Sequence, residues 1–142
     1  MAIRFNSATA NAMLSGGLRE AMQGGVVELR SGTAPSAASD SATGTLLCSI
    51  PIPSDGFSSP SAAEMSVSST WTGVVAEGGE VGWARMVGSG GTGRIDFTSV
   101  TGEGGGGDLE ISNNIDGVDD TTLVADGSAN IVSGTVSVPG TS

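Results

Sequence analysis

The chain has no histidine, no lysine and no tyrosine, and its one cysteine is Cys48. Each absence removes chemistry. Without histidine there is no Ser-His or Cys-His nucleophile pair and no His-bearing zinc site. Without lysine there is no Schiff base and no Walker A loop. A single cysteine makes no intramolecular disulfide and leaves the redox compartment unread. Acid–base work by side chains falls mainly to carboxylates, and a carboxylate pair can hydrolyse glycosides. Sugar sites want aromatic platforms, however, and aromatics are only 4% of the chain. The inventory points away from an enzyme, a cofactor or a small-molecule substrate. Basic charge is equally scarce: five arginines (Arg4, Arg19, Arg30, Arg85, Arg94) face 15 acidic residues, for a net charge of −10. No basic footprint for nucleic acid exists, and anionic membrane surfaces are disfavoured. The acidity serves solubility. No run approaches the roughly 20 apolar residues of a membrane span. The N-terminus lacks a signal-peptide pattern, since 5–23 is amphipathic and broken by glycine.

What is present reads as β-structure. A length of 142 residues suits one domain with a real core. Glycine numbers 24, which by itself warns of disorder, but charged residues are only 14% and apolar residues cluster in alternating runs. The centre of the chain is Val81-Gly-Trp-Ala-Arg-Met-Val-Gly88. Val81, Trp83, Arg85 and Val87 share one parity, and Gly82, Ala84 and Met86 the other. That is a strand with a heavy and a light face. Ser89-Gly-Gly-Thr-Gly93 is turn chemistry, and Arg94-Ile-Asp-Phe97 completes an antiparallel hairpin. The core is expected to form around Trp83 and Phe97.

Taken in order, 1–5 is short and apolar and reads as a strand or an arm. Ala8, Leu14, Leu18, Ala21 and Met22 predict a helix over 7–22, weakened at Gly16-Gly17 and stopped at Gly24-Gly25. Such a helix is marginal alone and must lie on a sheet or a neighbouring subunit. Strands follow at 26–30, with Val27 and Leu29 on one face, and at 45–50, ended by Pro51 and Pro53. Residues 31–44 are a polar loop. Residues 64–71 alternate, with Met65, Val67 and Trp71 together. The glycine run 102–107 is a mobile loop or a tight place where no side chain fits. Leu109 and Ile111 point inward from 108–112. Residues 121–125 and 130–138 close the set, with Gly134 as a candidate bulge because Ile131 and Val136 differ in parity. The division is an N-terminal arm and helix over 1–25 and one β-domain over 26–142. The fold class is mainly β, an antiparallel β-sandwich or jelly-roll-like domain with one short N-terminal helix. Its candidate core is Trp71, Trp83, Phe97, Leu109 and Ile111.

Four features invite chemistry. Gly88-Ser-Gly-Gly-Thr-Gly93 matches G-x-G-x-x-G, but a strand follows it where a dinucleotide site needs a helix. Asp116, Asp119 and Asp120 sit in an oxygen-rich turn that could hold calcium, without EF-hand spacing or its bidentate Glu; Asp and Asn are also ordinary turn residues. Cys48 reads as a small core residue. Arg85 has Asp96 or Glu80 as partner, or ends at a subunit interface or in solvent.

The order of the short motifs resembles a group of small virion proteins of tailed bacteriophages. The arm and helix are Ile3-Arg-Phe-Asn6 and Asn11-Ala-Met-Leu14. Val27-Glu-Leu-Arg-Ser-Gly-Thr-Ala-Pro35 and Gly44-Thr-Leu-Leu47 follow. The tryptophan strand is Gly82-Trp-Ala-Arg85. Leu109-Glu-Ile-Ser112 and Val132-Ser-Gly-Thr-Val-Ser137 close the chain. The resemblance implies a non-enzymatic capsid decoration (cement) protein, made in the host cytoplasm and carried on the outer capsid surface. Its partners would be itself, as a homotrimer, and the major capsid protein. The candidate assembly contacts are Ile3, Arg4, Phe5, Leu14, Leu18 and Met22, in an arm that would reach an adjacent subunit or the major capsid protein. The alternatives are a tail or head–tail connector component and a carbohydrate- or receptor-binding module of a fibre.

Overall fold

The computed structural model describes residues 3–5, 17, 21–54, 56–57, 64–91 and 93–137. The fold is mainly β. Sheet one runs β1 (Ile3–Phe5), β8 (Arg94–Phe97), β7 (Trp83–Val87), β2 (Val26–Arg30), β3 (Leu46–Pro51), all antiparallel. Sheet two is organised on the ten-residue β12 (Ser128–Ser137). On one edge β12 pairs with β5 (Trp71–Val74) and then with β4 (Glu64–Ser66); on the other it pairs with β10 (Leu109–Ser112), which pairs with β9 (Val100–Gly102). A small third ladder joins β6 (Gly79–Glu80) to β11 (Thr122–Leu123). The two large sheets are stitched where Cys48 bridges Val75, and where Leu47 O accepts the N–H groups of Ala76 and Glu77 at 2.8 and 3.2 Å.

One hydrophobic cluster lies between the sheets. Val27, Leu29, Ile50, Met86, Ile95 and Phe97 enter it from sheet one, and Trp71, Leu109, Ile111, Ile131 and Val136 from sheet two. Each such side chain contributes about 1.5–3 kcal/mol by leaving water. Trp71 meets Phe57 edge to face, with ring centroids 5.2 Å apart. Gly56 lies so close to the indole that an added Cβ would stand 2.7 Å from Trp71 Cζ2.

Several expectations are corrected. The sheets are not all antiparallel: β9 and β10 run parallel, joined by the short connection 103–108. Parallel neighbours usually need a crossover of about a dozen residues. The glycine run makes the shorter return possible. Gly104 and Gly106 hold φ of +83° and +81°, which side chains rarely adopt, and a Cβ on Gly105 would stand 2.7 Å from Thr101 Cβ. The predicted helix over 7–22 falls mostly outside the described residues. Among the described ones only Ala21–Met22 is helical, a turn held by Ala21 N–H on Gly17 O at 3.1 Å. The run 64–71 is two strands, because the chain leaves the ladder where Ser68 N–H bonds Gly56 O at 2.7 Å. The parity switch in β12 is real, but the extra residue is Val132: Glu110 faces Ser133 while Ile111 faces Ile131. Val81 and Gly82 precede β7 rather than belonging to it, since Gly82 passes directly over Gly32, whose carbonyl oxygen lies 1.9 Å from where a Cβ would be.

Candidate functional site

Strand β7 is central in sheet one and buried on both faces. Ala84 and Met86 point into the inter-sheet cluster, whereas Trp83 and Arg85 point away from it. Trp83 is 0% exposed yet lies outside that cluster, so it and Phe97 occupy opposite faces of one sheet. The expectation of a core around both rings is therefore corrected. The heavy face of the strand is the outer one, and something else covers it.

Along that outer face the register sets Glu28, Arg85 and Asp96 in one row across β2, β7 and β8, with charges alternating in sign. Opposite charges directly across an antiparallel pair attract. Arg85 and Asp96 form a bidentate pair, Nε to Oδ1 at 2.7 Å and Nη2 to Oδ2 at 3.0 Å, with Arg85 2% and Asp96 0% exposed. Two charges removed from water need this geometry and further hydrogen bonds to offset their desolvation. A third bond runs from Arg85 Nη1 to Asp40 O at 2.8 Å, and the guanidinium carbon lies 5.3 Å from the Trp83 ring centroid. Glu28 accepts from Arg30 Nε at 3.1 Å.

The cover is the loop 31–45. Its ends are closed by Ser31 N–H on Thr45 O at 3.1 Å and Thr45 N–H on Ser31 Oγ at 3.0 Å, and its middle by Thr43 Oγ1 on Thr33 O at 2.7 Å. Asp40 shapes the tip, its carboxylate accepting from Ser36 Oγ and Ala37 N–H, both at 3.2 Å. Arg94 reaches the same tip, with Nη1 3.3 Å from the carbonyls of Ser39 and Asp40. A compact loop with adjoining ends, fastened by its own side chains, is an Ω-loop. The sequence marked 31–44 as a loop but gave no sign that it would lie over a sheet.

The outer side of sheet two is built differently. Trp71, Gly73, Leu109, Ile111, Ala129, Ile131, Gly134 and Val136 are its inward positions, which leaves Ser66, Thr72, Val74, Glu110, Ser112, Ser128, Asn130, Ser133 and Thr135 on the opposite parity, with Ser112 and Asn130 buried there too. Thr72 Oγ1 donates to Asn130 Oδ1 at 2.7 Å, Asn130 Nδ2 lies 3.5 Å from Ser112 O, and the hydroxyls of Ser66 and Thr135 lie 3.4 Å apart. At the rim, Glu110 closes the glycine connection by accepting Gly104 N–H at 3.2 Å and Gly106 N–H at 2.9 Å. The run 102–107 is thus a fastened turn in the structure. Asp108, at the foot of β10, has a carboxyl oxygen (Oδ2) shielded from solvent without a hydrogen-bond partner, and burial pushes its acidity weaker than usual.

The Asp116–Asp120 turn is held by an amide. Asn113 is 3% exposed and donates from Nδ2 to Asp119 O at 2.8 Å and Thr122 O at 2.7 Å. Asp120 accepts from Ser112 Oγ at 3.3 Å. Among the described residues no three carboxylate or thiol groups converge on a point where a metal would sit. Glu80 binds the hydroxyls of Thr121 and Thr122 at 2.5 and 2.6 Å, and these bonds hold its carboxyl below the usual range. Cys48 is buried, and desolvation pushes its thiol up to about 11.

The five candidate core residues are all inside: Trp71, Phe97, Leu109 and Ile111 between the sheets, and Trp83 beneath the loop 31–45. Of the candidate assembly contacts, Met22 is 0% exposed in its own chain's core and so offers no side chain to a neighbour. Ile3, Arg4 and Phe5, read as a strand or an arm, form a strand that pairs in register with Phe97, Asp96 and Ile95 of their own chain. Leu14 and Leu18 lie outside the described residues. The Arg85–Asp96 pair was one of the partnerings open in the sequence; the acceptors on the loop tip and the Glu110 turn had no sequence signal beyond the glycines. No protein-family model, curated protein or solved structure matches this chain.

Proposed function

We propose that this chain is a non-enzymatic structural protein of a tailed-bacteriophage virion, a sandwich-like decoration subunit that binds the outer head surface. The observation that carries the reading is where the ionisable side chains are spent. Arg85 and Asp96 neutralise each other in the interior, Glu80 and Glu110 fasten turns, and Cys48 is sealed with its thiol pushed up to about 11. A protein that works by burying surface against neighbours needs a stiff frame rather than free nucleophiles, and these bonds stiffen one. The net charge of −10 suits a surface facing solvent rather than packaged DNA. The short motifs running from Ile3 to Ser137 supply the resemblance to decoration proteins. Copies would gather around local three-fold axes of the shell and touch the major capsid protein. Many small contacts repeated over a shell add to a large stabilisation.

The test is addition of the purified full chain to undecorated heads of a tailed phage. Saturable uptake in fixed ratio to capsid subunits, with heads that then resist heat or low salt better, is the expected result. Assembly into six-fold rings that bind tails or portals, with no uptake by heads, would transfer the chain to the tail or connector class. Binding to neither, with binding to a glycan array instead, would move it to a fibre module.

A further inference from the structure

The chain holds three Asp-Gly steps, at 55–56, 116–117 and 126–127. Such a step can cyclise. The glycine's backbone nitrogen attacks the side-chain carboxyl carbon of the aspartate, and no Cβ on the glycine stands in the way. One C–N bond forms and one C–O bond breaks. The departing oxygen leaves as water, carrying off the amide hydrogen and one proton from solvent. Water then opens the succinimide ring at either carbonyl and returns the proton. Opening at the side-chain carbonyl restores aspartate. Opening at the main-chain carbonyl leaves isoaspartate, with the chain running through the side chain and a free α-carboxylate beside it. Water is the one co-reactant.

The reaction needs a nitrogen free to turn and a carboxyl free to meet it, and the fold treats the three steps differently. Gly127 N–H is committed to Val124 O and Asp126 N–H to Val75 O, both at 2.9 Å. Gly56 N–H is committed to Pro53 O at 3.2 Å, and Gly56 is buried against the Trp71 indole; Asp55 lies outside the described residues. Asp116 and Gly117 are both exposed. Among the described residues nothing accepts from Gly117 N–H, and nothing donates to the Asp116 carboxylate. Gly117, at φ +79°, is the left-handed corner of a turn that Val118 N–H closes on Ile115 O at 3.3 Å. An added Cβ there would meet nothing within 4 Å, so the apex is open on every side.

We propose that Asp116–Gly117 is a spontaneous modification site, where the folded chain accumulates succinimide and then isoaspartate. The turn is anchored at its feet, by Asn113 on Asp119 O and Thr122 O and by Ile115 N–H on Asn113 Oδ1 at 2.9 Å. The extra backbone carbon therefore falls between fixed ends, and the change stays at the apex. Gly127 must first give up a hydrogen bond, whose net worth corresponds to about tenfold in rate. The proposal depends on no reading of what the protein binds.

Ageing the purified full chain in neutral buffer for several weeks tests it. Samples are digested with a protease that cuts before aspartate but not before isoaspartate, and the peptides are read by electron-transfer mass spectrometry. Resistance to cleavage at 116 should rise with time, preceded by a form lighter by one water. It should exceed resistance at 126 by about tenfold or more. Asp116→Glu, which would have to close a larger ring, should abolish the signal at 116 and leave that at 126 unchanged. In urea both glycine nitrogens are released, so the two steps should react at similar rates. Equal accumulation at 116 and 126 in the folded chain overturns the proposal. So does a folded chain that forms no isoaspartate at 116 while the unfolded chain forms it at both.

Discussion

The outer faces of the two sheets start from the same alternation of side chains and end in opposite states. On sheet one the outward positions are long and charged or aromatic: Trp83, Arg85, Asp96, Glu28 and Arg30. They are buried or half-buried, and the tip of a 15-residue loop, 31–45, reaches this face, its carbonyls accepting from Arg85 and Arg94. On sheet two the outward positions are mostly serine and threonine, with Glu110, Asn130 and Val74 among them; Thr72, Val74 and Ser133 are exposed, while Ser112 and Asn130 are buried. The difference shows what each side-chain class demands. A guanidinium and a carboxylate taken out of water lose their hydration and must have it replaced by direct bonds, the third of which the loop tip supplies. Hydroxyls are satisfied by a neighbour or by water, so they need no cover.

The largest break in this contrast is Asp96→Ala. It strands a buried guanidinium and should cost about 3–5 kcal/mol, read from urea unfolding at neutral pH. Arg85→Met with Asp96→Leu should recover most of that loss while freeing the Asp40 carbonyl, so hydrogen exchange in 31–45 should quicken although stability returns. Next is Gly82→Ala. Its Cβ would meet the Gly32 carbonyl, so the covering loop must shift, at about 1–3 kcal/mol and with the same gain in exchange over 31–45. On the open face the effects shrink. Thr72→Val removes the donor to Asn130 and should cost about 1 kcal/mol in the same unfolding assay.

The smallest effect separates the two shielded carboxyls. Asp96 has its partner; the shielded oxygen of Asp108 has none. Burial raises the Asp108 pKa in the folded state, so the fold holds its proton more tightly than the unfolded chain does. The resulting cost is absent below the unfolded Asp range, grows as pH rises through it, and is complete above the raised folded value. Asp108→Asn should therefore stabilise at neutral pH, by about 0.5 kcal/mol given solvent screening of a half-exposed group, and not in acid. Thermal midpoints across pH 3 to 7, about 4 units spanning the carboxylate range, check the sign.

Local pattern carried the strands that have one wet and one dry face. The alternation of Val27 and Leu29 with Glu28 and Arg30 marked β2 to the residue, and Leu109 and Ile111 were placed inward by the same rule. The β7–β8 hairpin was legible because glycine and serine between two apolar runs admit few alternatives. The candidate site was legible only in part. Arg85 and Asp96 were visible as possible partners, but period two says that a strand has two faces, not which of them meets the other sheet. For β7 both are buried, and the bulky face went to the loop. The parallel β9–β10 pair was hidden because a connection of that length ordinarily implies antiparallel neighbours.

The sequence by itself determined the class of structure and the chemistry available to it. Glycine-punctuated alternation makes strands and turns, and a chain without histidine, lysine or tyrosine has only carboxylates, arginines and one thiol as ionisable side chains. Tertiary structure alone decided how those groups are used. Glu28, Arg85 and Asp96 come from three separate stretches of chain, and they form one row only because three strands stack in one register. Whether that row is wet or dry depended on a loop whose own sequence is small and polar. Its position is fixed by arginines reaching its backbone carbonyls, groups that every residue carries and that no sequence pattern distinguishes.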